Sequence, residues 1–240
     1  MRVRGLRLII SLTVAHLLPA SSAVSQVPSR PPDLSRQLLS GRDAAAAGMI
    51  LVAVFMGDEG LRAQAQAYRG EETKSIAQIG NAFGDPRFVL PALSATYLAG
   101  QLTGSRDIRR VALRAGGAAI VASGVTTALK YATGRSRPAQ SDDSDLFRPF
   151  SGRNGFPSGH TTLAFAVATA IADETQDPWS DIALYGAATL TAFARVSNDR
   201  HWTSDVLVGA LIGHLSARWL SRRQRWLTVR PGGVAASFEF

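Results

Sequence analysis

The sequence predicts an all-α protein, and two observations support this prediction. Apolar segments rich in Ala and Leu alternate with short polar breaks, and Gly, Pro or Asp stands at most of the borders between them. Most of these segments are also longer than ordinary β-strands. We therefore expect a helical bundle of about six core helices. The segments that predict it are Ala44–Met56, Phe88–Leu102, Val111–Leu129, Thr161–Ala172, Ile182–Ala194 and Val206–Leu220.

The first 23 residues are typical of a secretory signal peptide. Three arginines precede the apolar stretch Leu8–Leu18, and small residues follow it up to Ala23. We expect cleavage after Ala23, and the alternative is an N-terminal membrane anchor that stays attached. In both cases the rest of the chain is predicted to be exported, with the periplasm as the expected compartment.

The remaining chain divides into three predicted parts. Residues 24–42 contain Pro28, Pro31 and Pro32 and are expected to form an exposed linker. Residues 43–225 form the predicted helical domain. In the tail, residues 226–240, a Pro-Gly-Gly turn separates two short runs, the second of which alternates apolar and polar or small residues. This pattern predicts a short C-terminal β-hairpin.

The composition excludes several kinds of chemistry. The chain has no cysteine, which rules out disulfides and thiol-based metal or redox sites. Its net charge of +8 would attract anionic lipid or a phosphorylated substrate, but the basic residues are spread along the chain. Dense basic blocks interleaved with aromatics are missing, so we expect no nucleic-acid partner. The sequence does not predict an oligomeric state.

The apolar segments also bear on the relation to membranes. Residues 88–105 form a run of 18 uncharged residues, and that stretch contains Pro91 and Gln101. The sequence therefore favours a soluble or membrane-associated bundle that contacts the membrane surface. An integral membrane protein is the alternative.

The first stretch with functional chemistry is KYATGRSRP, residues 130–138. Gly134 is expected to end the long helix before it, and Pro138 to stiffen the following loop. Lys130 would then lie on the last helical turn, with Arg137 in a constrained loop beside it. Basic residues also favour helix C-termini for electrostatic reasons alone. However, only two of the 26 basic residues are lysines, so a lysine at this position is notable.

The second stretch is Pro157-Ser158-Gly159-His160, directly before an apolar run. Ser158 is a candidate helix N-cap, Gly159 allows close approach of a ligand to the backbone, and His160 falls in the first turn. The free N–H groups of a helix N-terminus suit an anion. An ordinary cap with a surface histidine is the alternative.

The third stretch is RVSNDRHWTSD, residues 195–205. His201 and Asp205 are four residues apart, so on a helix they share a face, and the carboxylate is expected to accept the imidazole N–H. Arg195 would add a planar cation that matches phosphate oxygens. His214 is nine residues beyond Asp205 and falls on the opposite face, so we expect it to be structural.

The acidic run at residues 142–145 could suggest a metal site. It lies in a polar loop without matching ligands nearby in the sequence, so we interpret it as a solvated loop. Neither a metal nor another cofactor is predicted.

Together the three stretches resemble the tripartite signature of the type 2 phosphatidic acid phosphatase superfamily, which also contains bacterial acid phosphatases and vanadium haloperoxidases. The shared pattern is Lys-x6-Arg-Pro, then Pro-Ser-Gly-His, then Arg-x5-His-x3-Asp, over residues 130–205. Helical segments from about residue 44 to 220 look like the core of that family. One position departs from the pattern, because Ala194 stands where family members usually carry Ser.

The resemblance implies a phosphatase that needs no metal. By similarity, His201 attacks phosphorus and forms a phosphohistidine, Asp205 orients it, and His160 protonates the leaving oxygen. The groups implied to hold the phosphate oxygens are Lys130, Arg137, Ser158, Gly159 and Arg195. The expected substrates are phosphomonoesters or lipid phosphates and diphosphates. Alternatives are a vanadate-dependent haloperoxidase and a non-catalytic phosphate-binding or adapter protein.

Overall fold

A computed structural model describes residues 41–223, 227–230 and 233–236, and within these residues the predicted all-α class is confirmed. Seven α-helices follow one another: α1 (Gly41–Ala67), α2 (Glu71–Gly84), α3 (Pro86–Leu102), α4 (Arg106–Thr133), α5 (Gly159–Thr175), α6 (Pro178–Ser197) and α7 (Thr203–Arg223). The predicted signal peptide and nearly all of the predicted linker lie outside the described residues. Two short strands follow α7: β1 (Leu227–Arg230) and β2 (Gly233–Ala236).

The two strands form a hairpin at the predicted position. They pair antiparallel, with Leu227 opposite Ala236 and Arg230 opposite Gly233. The Pro-Gly pair between them is a strong turn former in the sequence. The C-terminal segment therefore leaves the helical pattern where the alternating residues predicted a strand.

The helix ends follow ordinary capping chemistry. Asp85 caps α3 by accepting from the backbone N–H of Arg87, and Ser105 caps α4 in the same way. Gly134 ends α4 in the left-handed conformation, with φ of 56°. A Cβ atom at Gly134 would collide with the carbonyl oxygen of Arg148, so glycine is required there for space as well as for backbone conformation.

Two helices differ from the sequence prediction. Helix α2 was not among the predicted apolar segments, because its buried face consists of the small residues Ala77, Gly80 and Gly84. Helix α1 continues to Ala67, eleven residues past the predicted end at Met56. The continuation is polar, yet its Asp58 is fully buried and paired. A search for apolar runs misses both features.

Small residues dominate the core of the bundle. Helix α5 packs against α4, α6 and α7. Most of the buried apolar side chains are alanines, among them Ala115, Ala122, Ala166 and Ala217 in one cluster. Small side chains let helix backbones approach closely, and the space around α5 leaves little room for anything larger.

The large apolar side chains lie mainly on the outside. Met56 is 85% exposed, Leu102 89%, Ile120 75% and Ile182 65%. Among the described residues one helix, α4, has the length and apolar composition needed to cross a membrane. Residues 88–105, which the sequence singled out, instead cover most of the shorter helix α3 and end at Ser105, the cap of α4.

The close contact between α5 and α7 gives a stability prediction. A Cβ atom at Gly213 would collide with the carbonyl oxygen of Thr162 and lie 2.8 Å from the nitrogen of Ala166. We expect Gly213→Ala to lower the free energy of unfolding by about 1–3 kcal/mol, because backbone atoms must move. Thermal unfolding of the purified chain in detergent measures this loss.

Gly116→Ala is the matched control, since a Cβ at Gly116 meets nothing within 4 Å. Replacing glycine inside a helix should there leave stability unchanged or raise it by up to about 1 kcal/mol. Equal melting temperatures for the two variants would contradict the packing argument.

Candidate functional site

The three predicted stretches meet at one end of the bundle. They are the C-terminal end of α4 with its following loop, the N-terminus of α5, and the turn between α6 and α7. Backbone hydrogen bonds join two of them directly, because the N–H of Ser158 donates to the carbonyl of Asp205 at 2.9 Å. The corner after α2 also belongs to this end, since a Cβ at Gly84 would lie 2.5 Å from the carbonyl oxygen of His160.

Lys130 joins the first stretch to the second. Its Nζ donates to the carbonyls of Asn154 and Pro157, at 2.6 and 2.7 Å. The ideal Cβ position of Gly159 lies 3.8 Å from the Cε of Lys130. The ammonium group is therefore held beside the start of α5, where free backbone N–H groups also favour an anion.

Arg137 and Arg195 each carry a buried Nε that has no hydrogen-bond partner within the described residues. The two guanidinium groups lie close enough to repel each other, and both also act on His160 and His201. Burial lowers the pKa of Arg137, and the neighbouring charge of Arg200 adds to this effect. Buried N–H donors without partners are costly and indicate that an acceptor normally binds there.

Arg195 is oriented by a side chain that the sequence analysis did not identify. Its Nη1 donates to Oδ1 of Asn81 in α2 at 3.0 Å. The backbone carbonyl of Arg195 accepts from the N–H groups of Arg200 and His201, which turns the chain back after α6. This turn brings His201 next to the arginine six residues before it.

His201 is buried and its ring makes a short hydrogen bond to the backbone. Its Nδ1 lies 2.7 Å from the carbonyl oxygen of Gly155 and 3.4 Å from Oδ2 of Asp205. A carbonyl can only accept, so Nδ1 must carry the proton and Nε2 keeps its lone pair. The short partner is thus Gly155, whereas the four-residue spacing predicted the carboxylate of Asp205. The shared helix face is also wrong, because α7 begins at Thr203 and His201 lies in the turn before it.

The carboxylate of Asp205 is fixed by other donors. Its Oδ2 accepts from the backbone N–H of Trp202 at 2.9 Å, and its Oδ1 accepts from Arg135 at 2.7 Å. The negative charge still lies within ion-pair distance of the His201 ring. The carboxylate of Asp205 therefore favours a positive charge on the imidazole, although the shortest hydrogen bond of Nδ1 is to Gly155 and not to Asp205.

The environment of His201 favours its neutral form. Burial lowers the pKa of His201 well below its usual value, and the charges of Lys130, Arg195 and Arg137 lower it further. The hydrogen bond to Gly155 opposes this shift. A neutral imidazole with a free Nε2 has the properties of a nucleophile.

His160 lies at the N-terminus of α5, within electrostatic range of Arg195, His201 and Arg137. A nearby carboxylate, that of Asp85, partly offsets these positive charges. Hydrogen bonds from Arg87 hold the pKa of Asp85 at about 2, with a smaller effect from His160. Asp85 therefore stays ionised at the edge of the site.

Ser158 occupies the N-cap position of α5, but its side chain makes no capping hydrogen bond. Its buried hydroxyl lies 3.0 Å from the hydroxyl of Thr161. When Thr161 donates in this pair, the O–H of Ser158 remains for an acceptor atom of a ligand.

Two features from the sequence lie apart from this cluster. His214 makes a hydrogen bond with Thr169 at 3.1 Å, on the α5–α7 contact. In the acidic run, Asp142 is exposed and pairs with Arg62, while Ser144 is buried and its carbonyl accepts from Arg135. This loop therefore helps to hold buried groups beside the site.

The sequence pattern did not identify the buried residues behind the carboxylate, chiefly Arg135 and Asp58. Arg135 stands inside the quoted stretch at residues 130–138, and Asp58 lies two residues after the predicted apolar segment that ends at Met56. An ionisable residue at such a border is a weak signal for a buried pair. The partners are 77 residues apart, so no local pattern relates them.

An all-α bundle that brings basic side chains, two histidines and a helix N-terminus together defines a class of helical anion-binding proteins. Residues 111–228 match the model of the PAP2 superfamily. The chain therefore carries a PAP2 superfamily domain, which confirms the resemblance seen in the sequence. Asp58, Asn81 and Asp85 lie before the matched segment.

Similar proteins agree with this family. A Lipid A 1-phosphatase of Porphyromonas gingivalis is 40% identical over 103 residues, which are 41% of this chain and 21% of that protein. This chain thus aligns with about a fifth of the relative's length.

Two solved structures share the fold. Aquifex aeolicus LpxE superposes with a TM-score of 0.51 at 20% identity, over 68% of this chain and 93% of that one. A transmembrane PAP2-type phosphatidylglycerolphosphate phosphatase of Bacillus subtilis superposes with a TM-score of 0.54 at 16% identity, over 75% and 95%.

The contact between His201 and Gly155 predicts a charge state and a tautomer. We expect His201 to be neutral at pH 6, with its proton on Nδ1, because a lowered pKa keeps the uncharged form at more acidic pH. Nitrogen-15 NMR of histidine-labelled protein measures this, with His201→Gln used to assign the signal. An imidazolium, or a proton on Nε2, at pH 6 would contradict this prediction.

Proposed function

We propose that this chain is a phosphatase that removes a phosphate group from a membrane lipid through a phosphohistidine on His201. The observation that carries the proposal is the pair of unpartnered, buried Nε donors on Arg137 and Arg195, close to two histidines. Guanidinium groups suit phosphate oxygens because of their planar geometry and permanent charge.

A phosphate dianion matches the charge of the site. Lys130, Arg137 and Arg195 repel one another when no anion is bound, and a dianion would relieve this repulsion. The hydroxyl of Ser158 and the backbone N–H of Gly159 add neutral donors at the start of α5. Charge stabilisation of this kind accounts for most of the catalysis in phosphoryl transfer.

The first chemical step uses the free nitrogen of His201. Nε2 attacks phosphorus, a bond between nitrogen and phosphorus forms, and the bond from phosphorus to the ester oxygen breaks. The imidazole becomes positive in this step, and the carboxylate of Asp205, 3.4 Å from Nδ1, stabilises that charge. His160 donates a proton to the leaving oxygen.

The second step returns the enzyme to its starting state. His160, now neutral, takes a proton from water as that water attacks phosphorus. The bond from phosphorus to Nε2 breaks, inorganic phosphate leaves, and the neutral imidazole of His201 is restored. Three basic side chains hold the oxygens in both steps, so no metal ion is needed.

The distribution of apolar residues supports a lipid substrate and a place in the membrane. Large apolar side chains such as Ile120 and Met56 face outward, while the core is mostly alanine. Membrane helices pack through small residues in this way, and extensive exposed apolar surface indicates contact with lipid. This is the alternative that the sequence analysis placed second, behind a soluble or surface-bound bundle.

The relatives support the same substrate class. The Porphyromonas gingivalis protein is a lipid A phosphatase and the Bacillus subtilis protein acts on phosphatidylglycerolphosphate, as their names state. Since the alignment covers only part of the first and the identity to the second is low, these names support a lipid phosphate in general. They do not select one lipid.

A phosphate-release screen of the purified full chain in detergent tests the proposal. The panel contains lipid A, phosphatidylglycerolphosphate, phosphatidic acid and a small phosphomonoester, each with and without EDTA. We expect release from at least one lipid, unchanged by EDTA, and a loss of about 1,000-fold or more in kcat for His201→Gln, which removes the nucleophile.

His214→Gln is the matched control, because this histidine bonds to Thr169 away from the site. Its kcat should stay within about threefold of the unsubstituted chain. Full activity of His201→Gln would exclude the mechanism. Peroxide-dependent bromination with added vanadate, in place of phosphate release, would favour the haloperoxidase alternative.

The membrane placement is tested by extraction. We expect the full chain to stay with the membrane pellet in high salt and in alkaline carbonate, and to dissolve in detergent, because its apolar surface is large. Release by salt alone would indicate a protein held at the surface by charge.

A further inference from the structure

Arg135 is fully buried and uses all its nitrogens. Its Nε donates to the carbonyl of Ser144 at 2.8 Å, and its Nη1 donates to the hydroxyl of Ser204 and to Oδ1 of Asp205, at 2.6 and 2.7 Å. Its Nη2 donates to Oδ2 of Asp58 at 2.8 Å. A planar guanidinium with partners at each nitrogen has one orientation available.

Aromatic rings surround this guanidinium. The ring centres of Phe55, Phe147 and Trp202 lie 5.0, 5.1 and 5.7 Å from its central carbon. They exclude water and attract the cation, so its hydrogen bonds are stronger than they would be at a surface. Trp202 is itself fixed, because its Nε1 donates to the carbonyl of Ser136 at 3.0 Å.

Asp58 holds Arg135 from the other side. This carboxylate comes from α1 and is fully buried. Its Oδ1 accepts from the backbone N–H of Ser204 at 2.9 Å, and its Oδ2 accepts from the Ser204 hydroxyl and from Arg135. Asp58 therefore bonds to the residue directly before Asp205 and to the cation that binds Asp205.

The charges of this cluster matter for the site. One guanidinium lies between two carboxylates, and both ion pairs, to Asp58 and to Asp205, are inaccessible to solvent. Because Arg135 is shared, it does not fully neutralise Asp205. Oδ2 of Asp205 stays available to the backbone of Trp202 and to the ring of His201.

We propose that Asp58 and Arg135 are positioning residues, which fix the orientation of Asp205 and keep its negative charge directed at His201. Asp58 acts from outside the segment that matches the PAP2 superfamily, so helix α1 is part of the functional unit. This inference rests on the proposed function, since it assigns a role in the chemistry of His201.

Stability alone is a weak explanation for such a cluster. Buried ion pairs often contribute little net stability, because desolvation of the charges offsets their attraction. The chain nevertheless places two acids and one base here, all inaccessible to solvent. Groups that orient a reactive residue from behind commonly change activity by about 10- to 100-fold, as seen around metal ligands.

Asp58→Asn in the full chain tests the proposal. The amide keeps the size and an acceptor for Ser204 but loses the charge, so Arg135 is drawn to Asp205 as its one remaining carboxylate. We expect kcat for lipid phosphate release to fall about 10- to 100-fold with KM changed less than about threefold. If Asp58→Asn weakened the binding of substrate and transition state equally, KM would rise and kcat would stay unchanged.

Glu174→Gln is the matched control. Glu174 is also a buried carboxylate paired with two arginines, Arg110 and Arg114, but it lies at the opposite end of α5. We expect the kcat of Glu174→Gln to stay within about twofold, and its loss of thermal stability to be no larger than that of Asp58→Asn, because its arginines are partly exposed. Equal kcat losses in the two variants would reduce the role of Asp58 to folding and overturn the proposal.

A second readout does not depend on turnover. The nitrogen-15 signals of His201 should shift in Asp58→Asn and stay unchanged in Glu174→Gln, because only the first alters the charge near the ring. Unchanged His201 signals in a folded Asp58→Asn protein would overturn the positioning role. An inactive unsubstituted chain whose His201 signals still respond to Asp58→Asn would refute the phosphatase and keep the positioning role.

Ser204→Ala decides the question if Asp58→Asn fails to fold. It removes one hydroxyl between Asp58 and Arg135 and leaves both charges in place. A smaller kcat loss of about three- to tenfold is expected, with KM unchanged and a shifted His201 signal. A folded Ser204→Ala protein with full kcat and an unshifted signal would overturn the proposal.

Discussion

The mutual repulsion of the cations at one end of the bundle is the constraint on which the site depends. Lys130 and Arg137 come from one stretch of the chain and Arg195 from another, and their positive charges repel one another. A flexible protein would let these side chains move apart into solvent. Here Lys130 is tied to two carbonyls and Arg195 to Asn81, so the charges remain together. The positive field is therefore built before an anion arrives, as electrostatic preorganisation requires.

The small residues of the bundle supply the rigidity that this arrangement needs. Gly84 lets α2 contact the backbone at His160, and Gly209 lets α7 contact the carbonyl of Ser158, 2.7 Å from an ideal Cβ position. Helices whose backbones are in contact cannot shift relative to one another, so the side chains at the ends of these helices keep their positions. The same alanine and glycine packing leaves the large apolar residues outside. The same packing of small residues therefore fixes the positions of the side chains in the site and leaves the large apolar residues on the outer surface.

The sequence was sufficient for the parts of the site that are local. Gly134 ends α4 where a glycine before a proline-stiffened loop indicated. His201 also lies within ion-pair distance of Asp205, although it belongs to the turn before α7, which begins at Thr203, and not to the helix. It could not predict contacts between distant segments. The bond from His201 to Gly155 spans 46 residues, and the pair of Arg135 and Asp58 spans 77. Such contacts depend on how whole helices pack, which periodicity does not determine.

Under the proposed placement in a membrane, the two charged ends of the bundle relate the site to a bilayer. Gly159 begins α5 at the site, and Glu174 pairs with arginines near its other end, about 22 Å away at 1.5 Å per residue. Between these ends the outward residues of the neighbouring α4 include the large apolar side chains of Leu113, Ile120 and Val125. A bilayer has a hydrocarbon core of about 30 Å with polar layers on both sides, so an apolar band of this height between two charged ends matches it approximately. The cations would then lie at the depth of the headgroups. Under the proposed function, a phosphate on a lipid would reach His201 there while its acyl chains stay beside the helices.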